Sequence, residues 1–322
     1  MPREYRTRAL VLRSSDWGES DRIVHLYTEE LGRVSAIAKG ALRSRRRFPG
    51  VLELFSLLDA RLVDPPRSSM LRLEAARLSR PIEGLTDSLA RFAVGCHFLE
   101  LLDRITGEGE AHPGMFPFAR GVLEVLSREE PDRLFALLLL AKTLARLGYR
   151  PQLSACVECG APLRGRVGFA PAQGGGLCPR CAPEGTALLS ARVLDALERG
   201  IRTPLSRRGE LGLSRQDVDR VEREMLGFFR FHIGIELRSA EFLRGILASR
   251  QLDGPLGRGD TPRARAKDAS GDPEPDGLRY SAPARPPAPE PGQEAVELGE
   301  SQAPGDPECP EDRPQTPFPR SG

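Results

Sequence analysis

Histidine is scarce in this 322-residue chain: there are four, at His25, His97, His112 and His232. They are scattered, so no His-Glu-x-x-His helix exists to hold a catalytic metal, and no Gly-x-x-x-x-Gly-Lys-Ser/Thr loop exists to cradle phosphates. The commonest hydrolytic and nucleotide-cleaving chemistries therefore find no motif. Long apolar runs are also missing: the best, Leu134 to Ala141, covers eight residues, whereas a bilayer span needs roughly 18. Behind Met1-Pro-Arg-Glu-Tyr5 there is no apolar run of the secretory kind, which predicts a cytoplasmic protein with reduced thiols.

Charge of one sign is not in excess overall, since the net charge is +2, but it is unevenly placed. Residues 251–322 hold 8 Lys/Arg against 14 Asp/Glu, so residues 1–250 carry the balancing excess of +8. A basic body predicts an anionic partner, with nucleic acid the leading candidate. The same tail holds 15 of the 29 prolines and two aromatics, Tyr280 and Phe318. Such a composition buries too little surface to offset ordering entropy, so 251–322 is expected to be a disordered, Pro-rich acidic tail.

Cysteine is used six times, and four of the six form Cys156-Val-Glu-Cys159 and Cys178-Pro-Arg-Cys181, separated by residues 160–177. Two Cys-x-x-Cys pairs at this spacing read as a tetrahedral zinc site. A disulfide pair would suit an oxidising compartment, and a redox Cys-x-x-Cys would stand alone at a strand-to-helix turn. A catalytic zinc needs an open position, whereas four thiolates close the shell, so one structural Zn2+ is expected. Between the pairs, Gly160, Gly165, Gly168 and Gly174-Gly-Gly176 leave few side chains to bury. This lobe should fold only with its metal.

The first eighty residues alternate in the manner of strands: Tyr5–Arg13, Ile23–Tyr27, Val34–Ala38, Leu54–Val63 and Leu71–Leu78, with turns at Asp16-Trp-Gly-Glu-Ser-Asp21, Gly32 and Pro65-Pro66. Five strands match a small OB-type barrel, with an SH3-like barrel as the nearest alternative. The last strand fits neither strand nor helix period cleanly. Between the third and fourth strands lies Lys39-Gly-Ala-Leu-Arg-Ser-Arg-Arg-Arg-Phe48, with five cations in ten positions. Lys39, Arg43, Arg45, Arg46 and Arg47 are the candidate DNA contacts, able to track phosphates, against the alternative of a solvated charge run. Phe48 could offer a face to a base, although a lone aromatic after a loop more often enters the core. Trp17 and Tyr27 are expected to pack.

Beyond Pro81 the period changes to helical. Leu85, Leu89, Phe92, Cys96 and Leu99 make an amphipathic stripe, with Cys96 as buried filler and His97 partly exposed. A second helix is expected over Phe116–Ser127, and a central apolar one over Leu134–Leu147, stopped by Gly148 and Pro151. Two more follow the cysteines. One is capped by Ser190 and carries Val193, Leu197 and Ile201; the other opens with the capping box Ser214-Arg-Gln-Asp217 and presents Val218, Val221, Met225, Phe228 and His232.

Several segments carry a resemblance: Trp17-Gly-Glu-Ser-Asp-Arg22, Thr28-Glu-Glu-Leu-Gly32, Ala38-Lys-Gly40, Leu147-Gly-Tyr-Arg-Pro151 leading into Cys156-Val-Glu-Cys159-Gly160, and Leu237-Arg-Ser-Ala-Glu-Phe-Leu243. In this order, and with this cysteine spacing, the chain resembles the bacterial recombination mediator family RecO over roughly residues 4–247. The resemblance implies a multidomain α+β protein. An N-terminal OB-type β-barrel at 1–81 would bind DNA, followed by an all-α helical domain at 82–250 with an inserted four-cysteine zinc lobe at 154–184. It implies binding of single- and double-stranded DNA and annealing of complementary strands. It also implies work with RecR, and in some members RecF, to load a recombinase onto strands coated by single-strand-binding protein. That protein's acidic tip would meet the helical domain, for which Arg146 and Arg150 are the residues offered. The family's DNA contacts map onto Lys39, Arg43, Arg45, Arg46 and Arg47. No enzyme activity is expected. Rival readings are a zinc-containing, sequence-specific transcription regulator and a zinc-dependent nuclease. Cys309, alone in the tail, suggests no ligand.

Overall fold

A computed structural model describes residues 3–44, 46–66 and 70–252, all within one compact unit, Met1–Gly259. Arg45 and the expected tail from 253 onward, Cys309 included, lie outside the described residues.

Five strands close into a barrel: β1 (Arg3–Trp17), β2 (Asp21–Thr28), β3 (Gly32–Ala38), β4 (Leu57–Asp64) and β5 (Leu71–Arg80), in the order β1-β2-β3-β5-β4. The strand β1 is long enough to serve two partners. Its first half pairs antiparallel with β4 and its second half with β2, and a bulge between Val11 and Arg13 bends it around the barrel. Closure comes from a short parallel contact of β3 with β5, at Ala36–Leu71 and Ile37–Arg72. Alternation decides what is inside: Ala9, Val11, Val24, Leu26, Val34, Ala36, Leu58, Leu62 and Leu73 fill the barrel. The sequence-predicted fourth strand began too early, because 54–56 turn out of the sheet at Phe55, whose φ is 68°.

The other side of the barrel joins the helical body. Leu10, Leu12, Tyr27, Phe55 and Leu57 belong to the same buried cluster as the helices. The exposed part of β3 is covered by residues 107–112. There Gly109 N–H donates to the Arg33 carbonyl at 2.8 Å, Arg33 Nε donates to the Thr106 carbonyl at 2.9 Å, and His112 N–H donates to the Tyr27 hydroxyl at 3.4 Å. Gly32, at φ 66°, backs onto the Glu110 carbonyl so closely that any Cβ would collide with it.

The body consists of α1 (Leu89–Ile105), α2 (Met115–Leu126), α3 (Arg133–Arg146), α4 (Ala191–Arg202), α5 (Arg215–Ile233) and α6 (Ser239–Leu252). As its composition predicts, α3 is the central helix, buried from Phe135 to Leu144 on almost every side. Its one buried cation, Lys142, donates to the carbonyls of Ile201 and Thr203 at 2.8 and 2.6 Å, satisfying the C-terminal end of α4. Burial drives the Lys142 pKa down to about 8. The capping box at Ser214 and Asp217 forms. Ser190 does stand at the N-cap of α4, but its side chain makes no capping bond.

Two features of the body differ from expectation. The buried face of α1 is Ala90, Ala93, Val94, Gly95, Phe98, Leu99, Leu101 and Leu102, whereas Leu89 is 58% exposed. Gly95 faces the Phe55 ring, so small residues let the barrel approach there. The helix α6 was not anticipated. Its N-terminal end is held by Glu100 of α1, whose carboxylate accepts from Arg238 N–H at 2.7 Å, Ser239 N–H at 2.9 Å and Ser239 Oγ at 2.5 Å. An acid at a helix N-terminus satisfies free N–H groups and complements the dipole.

Between α3 and α4 sits the cysteine lobe, which contains a small antiparallel sheet, β6 (Arg166–Ala170), β7 (Gly175–Leu177) and β8 (Leu188–Ser190), in the order β7-β6-β8. One side of this sheet joins the main core through Val167, Phe169 and Leu189. His232 of α5 fastens it further by contacting the Pro171 carbonyl at 2.9 Å.

Candidate nucleic-acid interface and metal centre

The basic loop leaves β3 at Ala38 and is folded rather than loose. Gly40, at φ 66°, turns the chain, and its carbonyl accepts from Arg43 and Ser44 N–H at 3.2 and 3.0 Å. Arg47 Nη2 donates to the Lys39 carbonyl at 2.7 Å, tying the two ends of the loop together. Arg47's own carbonyl accepts from Ala76 N–H at 3.0 Å, fixing the loop along β5. Phe48 then plunges into the barrel core at 4% exposure. It is an anchor, with the Arg47 guanidinium 5.4 Å from its ring centroid, and has no face for a base.

This anchoring leaves the cations outside. Lys39, Arg43, Arg46 and Arg47 are all exposed. Arg43 reaches Glu19 at 3.7 Å, but both side chains are mostly in water, so the pair is weak. Among the described residues Arg46 and Arg47 form no ion pair, and neither does Arg77, the next residue after the loop's attachment point on β5; Lys39 forms none either, but it acts electrostatically on the Asp21 carboxylate. Other barrel arginines are spent on internal pairs, such as Arg8 with Glu29 and Arg22 with Asp16 and Glu53. Four of the five predicted contacts are thus exposed on one internally tied loop; the fifth, Arg45, is outside the described residues.

Tyr27 packs as expected, at 1% exposure, but Trp17 does not: it is 59% exposed. It ends β1 at the tip of the β1–β2 hairpin, opposite Asp21, too far along the strand for either face to be covered.

The four cysteines converge. Their sulfurs all lie within 4.8 Å of one another, with Cys159 Sγ and Cys178 Sγ at 3.7 Å. A tetrahedron of thiolates about 2.3 Å from a central zinc has edges of about 3.8 Å, so the arrangement fits the ion. Each pair sits in a tight turn: Gly160 N–H donates to the Cys156 carbonyl at 2.9 Å, and Cys181 N–H to the Cys178 carbonyl at 3.0 Å. Backbone N–H groups, first that of Cys178 and then that of Cys159, pull the Cys156 pKa to about 6. Cys178 is lowered likewise, chiefly by Cys181 N–H. Cys181 is pushed up to about 12 by the Cys178 and Cys159 sulfurs it must face. Four thiolates cannot crowd together without a cation to neutralise them. Around them lies only a small cluster of Cys156, Leu177 and Cys178 with a few flanking side chains.

On the helical body, Arg146 lies 3.8 Å over the Phe118 ring, and Arg150 is engaged by Glu198; both remain exposed. No helix among the described residues is long and apolar enough to cross a membrane.

Two sequence families cover most of the chain. Residues 1–82 match Recombination protein O N terminal, and residues 87–241 match Recombination protein O C terminal. The DNA repair protein RecO of Anaeromyxobacter sp. (strain Fw109-5) is 38% identical over 256 residues, which is 76% of this chain and 96% of that protein. DNA repair protein RecO of Myxococcus xanthus (strain DK1622) is 34% identical, covering 74% of this chain and 96% of its own length. That of Symbiobacterium thermophilum is 32% identical, over 76% and 99% respectively.

Proposed function

The chain belongs to the RecO family of DNA repair proteins, and from that premise we propose that its barrel, residues 1–81, grips DNA phosphates through Lys39, Arg43, Arg45, Arg46 and Arg47. The observation that carries this reading is the folded loop itself: its described cations, Lys39, Arg43, Arg46 and Arg47, are exposed with no strong internal partner, while barrel arginines such as Arg8 and Arg22 are paired. Phosphates that displace counterions from such a surface bind without sequence preference, as single strands or duplex. Holding two strands, or a coated strand, on one surface lets base pairing complete the annealing. The role is non-catalytic.

The body, residues 82–250 with its lobe at 154–184, serves as scaffold and docking surface. One zinc ion held by Cys156, Cys159, Cys178 and Cys181 would staple the lobe. Four thiolates leave that ion no open position for water, which argues against a zinc-dependent nuclease. The partners that fit the family are RecR, single-strand-binding protein and, where present, RecF, together loading a recombinase. For the acidic tip of single-strand-binding protein, a cavity of about 460 Å3 suits better than Arg146 and Arg150. Its walls include Leu226, Phe229 and Ile235, with Arg230, Arg238 and Arg244 outnumbering Glu236 and Glu241 around them.

The test is annealing of complementary strands coated with the cognate single-strand-binding protein. Changing Lys39, Arg43 and Arg45–Arg47 to Ala should abolish annealing with zinc content intact. Annealing that survives the change would overturn the loop's role.

A further inference from the structure

The chain's one tryptophan, Trp17, stands 59% exposed at a hairpin tip, yet that tip is not a free end. The Asp21 carboxylate accepts from Gly40 N–H at 2.8 Å, and the Ser20 carbonyl accepts from Leu42 N–H at 3.0 Å. Glu19 faces Arg43 at 3.7 Å. On the hairpin's other flank, Arg22 bridges Asp16 at 2.8 Å and Glu53 at 2.7 Å. The Gly40 N–H holds the Asp21 carboxyl below its usual range, so this tie persists through neutral pH. Hairpin tip and basic loop are thus one surface. Two exposed apolar side chains belong to it, Trp17 and Leu42, the latter 44% exposed, and the exposed cations Lys39 and Arg43 flank the clasped Gly40 and Leu42 in the chain.

A large aromatic kept in water beside cations without strong partners is the arrangement that single-strand binders use: cations follow the backbone while the ring receives a base. A duplex has no free base face to give, because its bases stack on one another. We propose that Trp17 is a stacking platform for an unpaired nucleobase, and that it gives this barrel its preference for single strands over duplex. The loop cations hold the phosphates of both forms. The proposal rests on the reading of the loop as the DNA surface, and it adds the residue that tells one form from the other. Leu42 supplies a second apolar edge beside the base.

Because Trp17 is the sole tryptophan, its emission reports on the site directly. The full chain is titrated with an oligo-deoxythymidine and, separately, with a duplex of equal length. Intrinsic emission is followed together with the anisotropy of end-labelled DNA. The single strand should quench emission and the duplex should leave it unchanged. Trp17→Ala should weaken single-strand binding about 5- to 150-fold, the equivalent of 1–3 kcal/mol per stacked base at tenfold per 1.4 kcal/mol. Duplex affinity should stay within about twofold of the parent, which also shows that the variant is folded, and Trp17→Phe should recover most of the loss. If anisotropy reports single-strand binding while emission stays flat and Trp17→Ala binds like the parent, the stacking assignment is overturned and the loop reading stands. If neither DNA changes the anisotropy, both fall.

Discussion

The loop's geometry sets the size of an effect that salt can measure. Each phosphate neutralised on a single strand contributes about −0.7 to the slope of log K against log salt. Lys39, Arg43, Arg46 and Arg47 are exposed, and among the described residues two carboxylates act on them: Glu19, held weakly by Arg43, and Asp21, which Lys39 senses without forming an ion pair. Four contacts should therefore contribute about −2.8 to the slope, so raising salt fourfold, from 50 to 200 mM, costs about 50-fold in affinity through these residues alone. Changing all four to Ala, with Arg45 left in place, should flatten the slope by that amount in an anisotropy titration. The single variants should be graded. Lys39→Ala and Arg46→Ala should each remove about 0.7 and little else. Arg47→Ala should cost more, because Arg47 also ties the loop ends at 2.7 Å and lies against Phe48. Arg47→Lys then separates the two roles, restoring the charge without the tie. A fourfold variant whose slope equals that of the parent would refute the reasoning, however weak its binding.

Two further outcomes follow from other parts of the fold. Cys178→Ser should release the metal, as read by a chromophoric zinc chelator, and open 156–181 to protease. The lobe's own cluster is too small to replace a binding free energy of about 10–16 kcal/mol, while duplex binding at the barrel should persist. Acidification should loosen α6. Burial holds His97 neutral with a pKa near 4, its Nδ1 2.8 Å from Ser239 Oγ. The unfolded chain takes up that proton first, near pH 6.5, so stability falls as pH drops from about 6.5 to 4, by at most about 3 kcal/mol. Glu100 acts in the same direction at lower pH. Burial opposes its ionised form, but hydrogen bonds from Ser239 and Arg238 hold its carboxyl below the usual range. Amide exchange in α6, corrected for intrinsic rates, should accelerate over that range relative to α3, and His97→Gln should remove the step between pH 6.5 and 4.

What could be read from the chain followed from how strictly each segment's pattern answers to one environment. The barrel strands alternate because one face meets a core and the other meets water, so their number and order of appearance were legible. So were α3, whose apolar composition admits only a central position, and the cysteine pairs, whose spacing has one good geometric solution. The phase of α1 misleads because its largest apolar residues do not all lie on the core face. At the actual contact Gly95 lets Phe55 approach, and Leu89 is left outside. Both α6 and the lobe's strands escaped notice for a related reason. The cap of α6 comes from Glu100, far away in sequence, and β7 is largely glycine.

Two aromatics carry the functional lesson: Phe48, which enters the core as a lone aromatic after a loop more often does, and Trp17, which stays outside against expectation. Phe48 and Trp17 both flank turns, and local sequence favours packing for each, so it does not foresee that one goes inward and the other stays out. Their positions follow from tertiary ties: Ala76 N–H to the Arg47 carbonyl draws the chain toward the barrel's interior at Phe48, while Asp21 and Ser20 clasp Gly40 and Leu42 and hold the Trp17 hairpin against the loop. Those ties imply an ordering of effects that composition could never supply. Asp21→Ala would remove a negative charge from the basic face, which on charge alone should strengthen DNA binding. The clasp argues the reverse for single strands: with the tip released, Trp17 no longer stands at a fixed place beside the cations, and the orientation a stacked base requires is lost. Charge and preorganisation therefore pull in opposite directions at this one residue. The duplex, which needs only the cations, should respond to the charge, and the single strand to the clasp.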